Sequence, residues 1–200
     1  MVGGPRGRQL DWPAVGSSES HNDDRRDEAL IAALNGGDVS AFDSLYYRYR
    51  DWVARLAFRF TASDVDALDV VQETFTYLFR KFPGFVLTAR MTTFLYPVVK
   101  NLSIAARRKR ERHISNEAGS DPIAAPSRPE LAQSREELSA VVAALPEGQR
   151  EVLLMRFVDD MSLAEIGAAL RIPEGTVKSR LHNALGTLRN DPRARNYFGK

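Results

Sequence analysis

The chain has 200 residues, 44% of them hydrophobic, a formal net charge of +2 and no cysteine. That length allows one ordinary domain or two small ones with packed cores, and the lack of cysteine excludes a disulfide framework and any cysteine-ligated metal, as a reducing compartment would favour. So small a net charge makes no case for a polyanionic partner by itself. Distribution does: Arg107, Arg108, Lys109, Arg110 and Arg112 fall almost consecutively, while Asp64, Asp66, Asp69 and Glu73 gather on an earlier segment. Separated basic and acidic surfaces point to two different partners.

Residues 1–27 are rich in glycine, serine, proline and charge, with Trp12 the only large aromatic, and are expected to form a disordered tail. They contain no apolar run that could serve as a secretory core or membrane span. The protein is therefore expected in the cytoplasm, with no membrane partner. From Asp27 a short helix is predicted with Leu30, Ile31 and Leu34 on one face, stopped by Asn35-Gly36-Gly37. A longer helix begins near Ser40, where Phe42, Leu45, Tyr46, Tyr49, Trp52, Val53, Leu56 and Phe60 recur at helical spacing.

Ser63 can cap a third helix, with Asp66 near its positive end, that buries Val65, Leu68, Val71, Phe75, Leu78 and Phe79. Asp69, Gln72, Glu73, Thr76 and Arg80 then form one polar stripe turned away from that face. Lys81-Phe82-Pro83-Gly84 ends the helix. A fourth is predicted from near Thr92, carrying Leu95, Val98, Val99 and Leu102 inward before it enters the basic cluster. Pro97 lies inside it and should kink it or remove one hydrogen bond.

Residues 113–130 hold three prolines among small and polar residues without a period, the pattern of a flexible linker. Beyond it Leu131, Leu138, Val141, Val142 and Leu145 mark a helix ended by Pro146, and Val152, Leu153 and Phe157 mark the next. Ser162 with Glu165 makes a capping box, and the small residues Ala164, Gly167 and Ala168 would let another helix cross closely. The following helix would bury Val177, Leu181, Ala184 and Leu188. Together these make a helix-turn-helix. Glu174, Lys178, Ser179 and His182 occupy its opposite face, which can enter a major groove, while Arg171, Thr176 and Arg180 flank it and can hold phosphates. The predicted fold is all-α: two small helical domains, residues 28–112 and 131–190, joined by the linker and followed by a tail at 191–200.

The segment Leu145-Pro146-Glu147-Gly148-Gln149-Arg150-Glu151-Val152-Leu153-Leu154, with Ser162-Leu163-Ala164-Glu165-Ile166 and Gly175-Thr176-Val177-Lys178-Ser179-Arg180-Leu181, resembles region four of the extracytoplasmic-function (ECF) sigma factors of the sigma-70 family. Independently, Asp69-Val70-Val71-Gln72-Glu73-Thr74-Phe75 is similar to the core of region two, and Phe94-Leu95-Tyr96 with Lys100-Asn101-Leu102 resembles the helix that follows. The resemblance implies an RNA polymerase subunit. Region two would bind the β′ coiled coil of core polymerase, through Asp69, Gln72, Glu73, Thr76 and Arg80, and read the minus-ten promoter element. Region four would bind the β flap and read the minus-thirty-five element. By the same analogy the loop from Phe82 to Thr93 cups a flipped base, with Phe85, Arg90 and Met91 as contacts beside Lys100, Asn101, Arg107 and Arg108 on phosphate. Many relatives also have an anti-sigma factor.

Three departures stand out. Phe94 replaces a tryptophan common in relatives, Pro97 interrupts a helix usually continuous there, and Pro173 occupies a place often held by a capping serine. The main rival is a helix-turn-helix regulator that binds DNA on its own. An enzyme is not expected: His21, His113 and His182 fall in the tail, linker and recognition helix, and the chain has no glycine-rich phosphate loop, nucleophile elbow or metal-ligand spacing. Accordingly no catalytic residue, cofactor or metal is assigned.

Overall fold

A computed structural model of the chain describes residues 26–116 and 131–194, with side chains at 26–112 and 137–194. The described residues form helices and loops, without a strand. In order, the helices are α1 (Asp27–Asn35), α2 (Ser40–Thr61), α3 (Asp64–Phe79), α4 (Met91–Asn116), α5 (Leu131–Ala144), α6 (Glu147–Phe157), α7 (Leu163–Leu170) and α8 (Glu174–Asn190). Nearly all of the predicted tail at 1–27, residues 117–130 of the predicted linker and the last six residues lie outside the described residues. The linker was expected from His113, yet α4 continues to Asn116. The described residues divide into two compact units, one running up to Val86 and resuming at Ala106, the other made of Leu87–Ala105 and the chain from α5 onward. Packing thus groups Leu87–Ala105 with the later helices, although the sequence places them in the earlier domain.

In the first unit, α1 buries Leu30, Ile31 and Leu34, and the left-handed conformation at its end falls on Gly37, φ 94°. The long α2 buries Leu45, Val53, Leu56 and Ala57 and ends where Ala62 turns left-handed, φ 50°. Ser63 caps α3 by accepting a hydrogen bond from the Asp66 amide at 3.3 Å. The buried face of α3 is Ala67, Val70, Val71, Thr74, Phe75 and Leu78. This corrects the predicted face, because Val65, Leu68 and Phe79 are exposed. The heptad-like choice between Val70 and Leu68 cannot be made from periodicity when apolar residues occupy both flanks of a helix. Against α2, Phe75 meets the rings of Phe42 and Tyr46 edge-on, centroids 6.3 and 4.7 Å apart.

In the second unit, the first part of α4 buries Met91, Leu95, Tyr96, Val99 and Ser103. Val98 and Leu102, predicted to point inward, are only half-buried. The helix runs through Pro97, which offers no N–H to the carbonyl of Thr93. Val141, Leu145, Leu153, Ala184 and Leu188 form a core between α5, α6 and α8. Phe157, one of the residues whose spacing marked α6, is 63% exposed, whereas Met155 is buried.

Both halves of the capping box form: Ser162 accepts from the Glu165 amide at 3.2 Å, and the Glu165 carboxylate accepts from the Ser162 amide at 2.7 Å. Of the three small residues expected at the crossing of α7 and α8, Ala164 and Ala168 are exposed and only Gly167 is buried. A Cβ on Gly167 would lie 3.0 Å from the Ile172 carbonyl oxygen and 3.8 Å from Val177 Cγ2. The close approach therefore rests on one residue. Because the obstacle is backbone, Gly167→Ala should cost roughly 1–3 kcal/mol, read as a lower denaturant midpoint for the whole chain, whereas Ala168→Gly should cost no more than ordinary helix propensity, about 1 kcal/mol.

Candidate nucleic-acid interface

On the first unit, Asp69, Gln72, Glu73, Thr76 and Arg80 are all exposed along one face of α3. Val65 and Leu68, 71% and 43% exposed, continue the same stripe toward the helix start. The face therefore mixes two exposed apolar side chains with polar and charged ones. Asp66 does not belong to it. Its carboxylate accepts from Arg110 Nη1 at 2.5 Å, while Arg110 Nη2 donates to the Thr61 carbonyl at 2.9 Å. The acidic and basic clusters seen in the sequence are thus joined at one point, and Arg110 ties the basic end of α4 to the α2–α3 junction.

Arg107, Arg108 and Lys109 remain exposed around that anchor, with Arg107 Nε 3.4 Å from Glu111. Three cations on one exposed turn can follow a phosphate backbone. The preceding loop is arranged otherwise than expected. Phe85, in the first unit, and Met91, in the second, are buried, 9% and 0% exposed, so neither side chain is offered to a base. Anchoring the ends of a loop is work for apolar side chains, and the exposed positions between them are Val86, Thr88, Ala89 and Arg90.

On the second unit, Arg90 Nε lies 3.4 Å from the Glu165 carboxylate. Lys100 Nζ is 2.5 Å from Glu151, whose carboxylate also accepts from the Tyr96 hydroxyl at 3.0 Å. Asn101 is exposed. The predicted minus-ten residues therefore do not share one compact unit: Phe85, Arg107 and Arg108 fall in the first, Arg90, Met91, Lys100 and Asn101 in the second.

The helix-turn-helix itself takes the predicted form. Arg171 makes the turn after α7 in left-handed conformation, φ 55°, and Pro173 precedes α8 without a side-chain cap. Val177, Ala184 and Leu188 are buried, with Leu181 half-buried. Glu174, Lys178, Ser179 and His182 are exposed on the other face. Two of these groups are already engaged locally: Lys178 Nζ sits 2.8 Å from Glu174, and the Ser179 hydroxyl donates to the Thr176 carbonyl at 3.0 Å. Arg171 is exposed, and Thr176 and Arg180 are half-buried. The Arg180 guanidinium lies over Gly148, where a Cβ would come within 3.1 Å of Cζ.

A feature the sequence did not disclose is an apolar groove of about 570 Å³ on the second unit, lined among others by Leu138, Val142, Leu153, Phe157 and Leu185. Phe157, Val158 and Leu185 line it with more than a third of their surface open to solvent. The available signal was the apolar pair Phe157-Val158 just where α6 stops.

Family models place these features. The model of sigma-70 region 2 matches residues 45–113, and that of sigma-70 region 4 matches residues 135–188. The ECF RNA polymerase sigma factor SigW of Bacillus subtilis is 31% identical over 177 residues, covering 82% of this chain and 95% of that protein. The chain belongs to the ECF sigma factors of the sigma-70 family. The ECF RNA polymerase sigma-E factor of Escherichia coli K12 is 32% identical over 178 residues, covering 82% of this chain and 93% of its own length. Among solved structures, the fold is shared with CnrH in complex with the cytosolic domain of CnrY (TM-score 0.58, 22% identity, 80% of this chain and 93% of that one). It is shared as well with the sigma factor RpoE in complex with the anti-sigma factor NepR from Bartonella quintana (TM-score 0.57, 19% identity, 80% and 98%).

In this ECF sigma factor, therefore, the helix-turn-helix lies within region four, and the α3 stripe and the basic end of α4 lie within region two. No described helix is long and apolar enough to cross a membrane. Within the helix-turn-helix, burial pushes the Glu165 carboxyl upward, but hydrogen bonds from the Ser162 amide and hydroxyl and the nearby Arg90 outweigh it and hold the group below its ordinary 4.5. A lowered carboxylate stabilises the fold fully above that ordinary value, and its contribution is lost as pH falls through the lowered one. The melting temperature should accordingly fall more steeply, as pH drops below that ordinary value, for the unmodified protein than for Glu165→Gln.

Proposed function

We propose that the protein binds core RNA polymerase through the α3 stripe of Asp69, Gln72, Glu73, Thr76 and Arg80, widened by Val65 and Leu68, with the β′ coiled coil as its partner. The observation that carries this reading is that all five residues stand exposed on one face of α3, with Val65 and Leu68 beside them. The apolar groove between α5, α6 and α8 suits an amphipathic helix laid along it, and we assign it to the β flap. A partner of the kind bound to the CnrH and RpoE relatives, an anti-sigma factor, is proposed as a competitor for these surfaces.

Promoter DNA is read in two places. Lys178, Ser179, His182 and Glu174 face the major groove of the minus-thirty-five element, with Arg171, Thr176 and Arg180 on flanking phosphate. Arg90, Lys100, Asn101, Arg107 and Arg108 meet the minus-ten element. In this account residues 28–112 and 131–190 act as two reading domains joined by residues 113–130. Each binds its short element weakly, and polymerase sets their separation, so the pair binds strongly. The protein acts in the cytoplasm, at the nucleoid when carried by polymerase. It catalyses nothing itself; bond formation belongs to the polymerase, and no cofactor is required.

In vitro transcription with core polymerase, beside gel shifts of the isolated chain on the same promoter, tests this. Specific initiation is expected only with polymerase, and tight sequence-specific binding by the isolated chain would favour a self-sufficient regulator instead. Reversing charge at Asp69 and Glu73 together should weaken core affinity roughly tenfold or more while leaving promoter preference intact, since it leaves a charged interface mispaired. Lys178→Ala and His182→Ala should each shift base preference in the minus-thirty-five element by about 1–3 kcal/mol, and unchanged preference in both would remove the assigned recognition face.

A further inference from the structure

Asn35, the last residue of α1, sits fifty positions before the loop that links α3 to α4, yet its side chain holds the start of that loop. Its Oδ1 accepts from the Gly84 amide at 2.7 Å and from the Phe85 amide at 3.2 Å, and its Nδ2 donates to the Phe85 carbonyl at 2.9 Å. One side-chain amide therefore satisfies three backbone groups of two consecutive residues. An amide is suited to this, because it alone among uncharged side chains offers an acceptor and a donor side by side. The same two residues are fixed by other means as well. Gly84 adopts φ 101°, open only to glycine at low cost, and Phe85 is buried with its ring edge-on to Phe82 at 5.5 Å. The residue immediately after the clamp, Val86, is 73% exposed. Three hydrogen bonds to the two residues before it fix where that side chain stands on the surface of the first unit.

From this geometry we infer that Asn35 is a positioning residue for minus-ten recognition: it fixes the backbone at Gly84 and Phe85 so that Val86, rather than Phe85, meets the extruded base. The inference rests on the assignment of this loop to the minus-ten element. It requires no contact between Asn35 and DNA. An apolar Val86 would take a base by edge and methyl contact, so the preference it imposes depends on where the loop is held.

The test uses the whole chain with core polymerase, measuring open-complex formation on promoters carrying each of the four bases at every minus-ten position. Val86→Ala should change preference at one position. Asn35→Ala should relax preference at that same position by roughly three- to tenfold, the scale of lost hydrogen bonds, while core affinity and minus-thirty-five preference stay unchanged. Asn35→Asp keeps both accepting bonds, loses the donated one, and should fall between. Gly84→Ala, whose new Cβ meets nothing within 4 Å, disturbs only the backbone and should reproduce the effect of Asn35→Ala. A general loss of folding would lower initiation equally with all four bases and would count against the inference. If Val86→Ala shifts preference but Asn35→Ala, Asn35→Asp and Gly84→Ala do not, the clamp is wrong and the loop assignment stands. If none of them shifts it, the loop assignment itself falls.

Discussion

Burial of one stripe of α3 against α2 sets the rotation of α3, and with it which residues the first unit can show to a partner. Ala67, Val70, Val71, Thr74, Phe75 and Leu78 go inward, so Val65, Leu68, Asp69, Gln72, Glu73 and Thr76 must go outward. A helix has only about 100° of arc to give a core before its remaining surface faces water. The aromatic contacts of Phe75 with Phe42 and Tyr46 lock that rotation, because edge-on rings tolerate little sliding. The exposed stripe proposed for docking is thus a consequence of core packing on the far side of the same helix.

The second unit reaches a similar result by a tighter route. At its α7–α8 crossing lies Gly167, where a methyl group would crowd the Ile172 carbonyl at 3.0 Å. The capping box at Ser162 and Glu165 starts α7 at a defined residue, and the left-handed Arg171 ends it. With start, crossing and turn all specified, the outward direction of Lys178 and His182 follows without further contacts to hold them. Arg180 shows how space is shared: Gly148 leaves a gap on α6 that its guanidinium covers. That side chain therefore has a structural role as well as the phosphate role proposed for it.

Charge in this ECF sigma factor is used at close range. The net charge of +2 says little, whereas individual ion pairs do specific work. Arg110 leaves the basic run to join Asp66 and the Thr61 carbonyl, and so anchors the turn that carries Arg107, Arg108 and Lys109. Lys100 and Arg90 are met by Glu151 and Glu165 within the second unit. A carboxylate in contact competes with phosphate for the same cation, so in this arrangement Lys100, at 2.5 Å from Glu151, is less available to DNA than Arg107, at 3.4 Å from Glu111. A run of like charges in sequence is in this way divided between an anchor, Arg110, and exposed cations around it.

Much of this was legible in the residues alone. The helical periods, the caps at Ser63 and Ser162, the turn at Arg171-Ile172-Pro173 and the polar face of α8 are local properties, set by spacings of three and four residues and by backbone chemistry that needs no distant partner. The family resemblance likewise rested on short contiguous motifs. What the tertiary structure alone decided was which of two apolar flanks each helix would bury. Val65, Leu68 and Phe157 are outside and Phe85 and Met91 inside, because burial depends on what lies across the interface and not on the residue's own hydrophobicity. It also decided the partners of long reach, Arg110 with Asp66 and Asn35 with Gly84 and Phe85, since no local period relates residues more than forty positions apart.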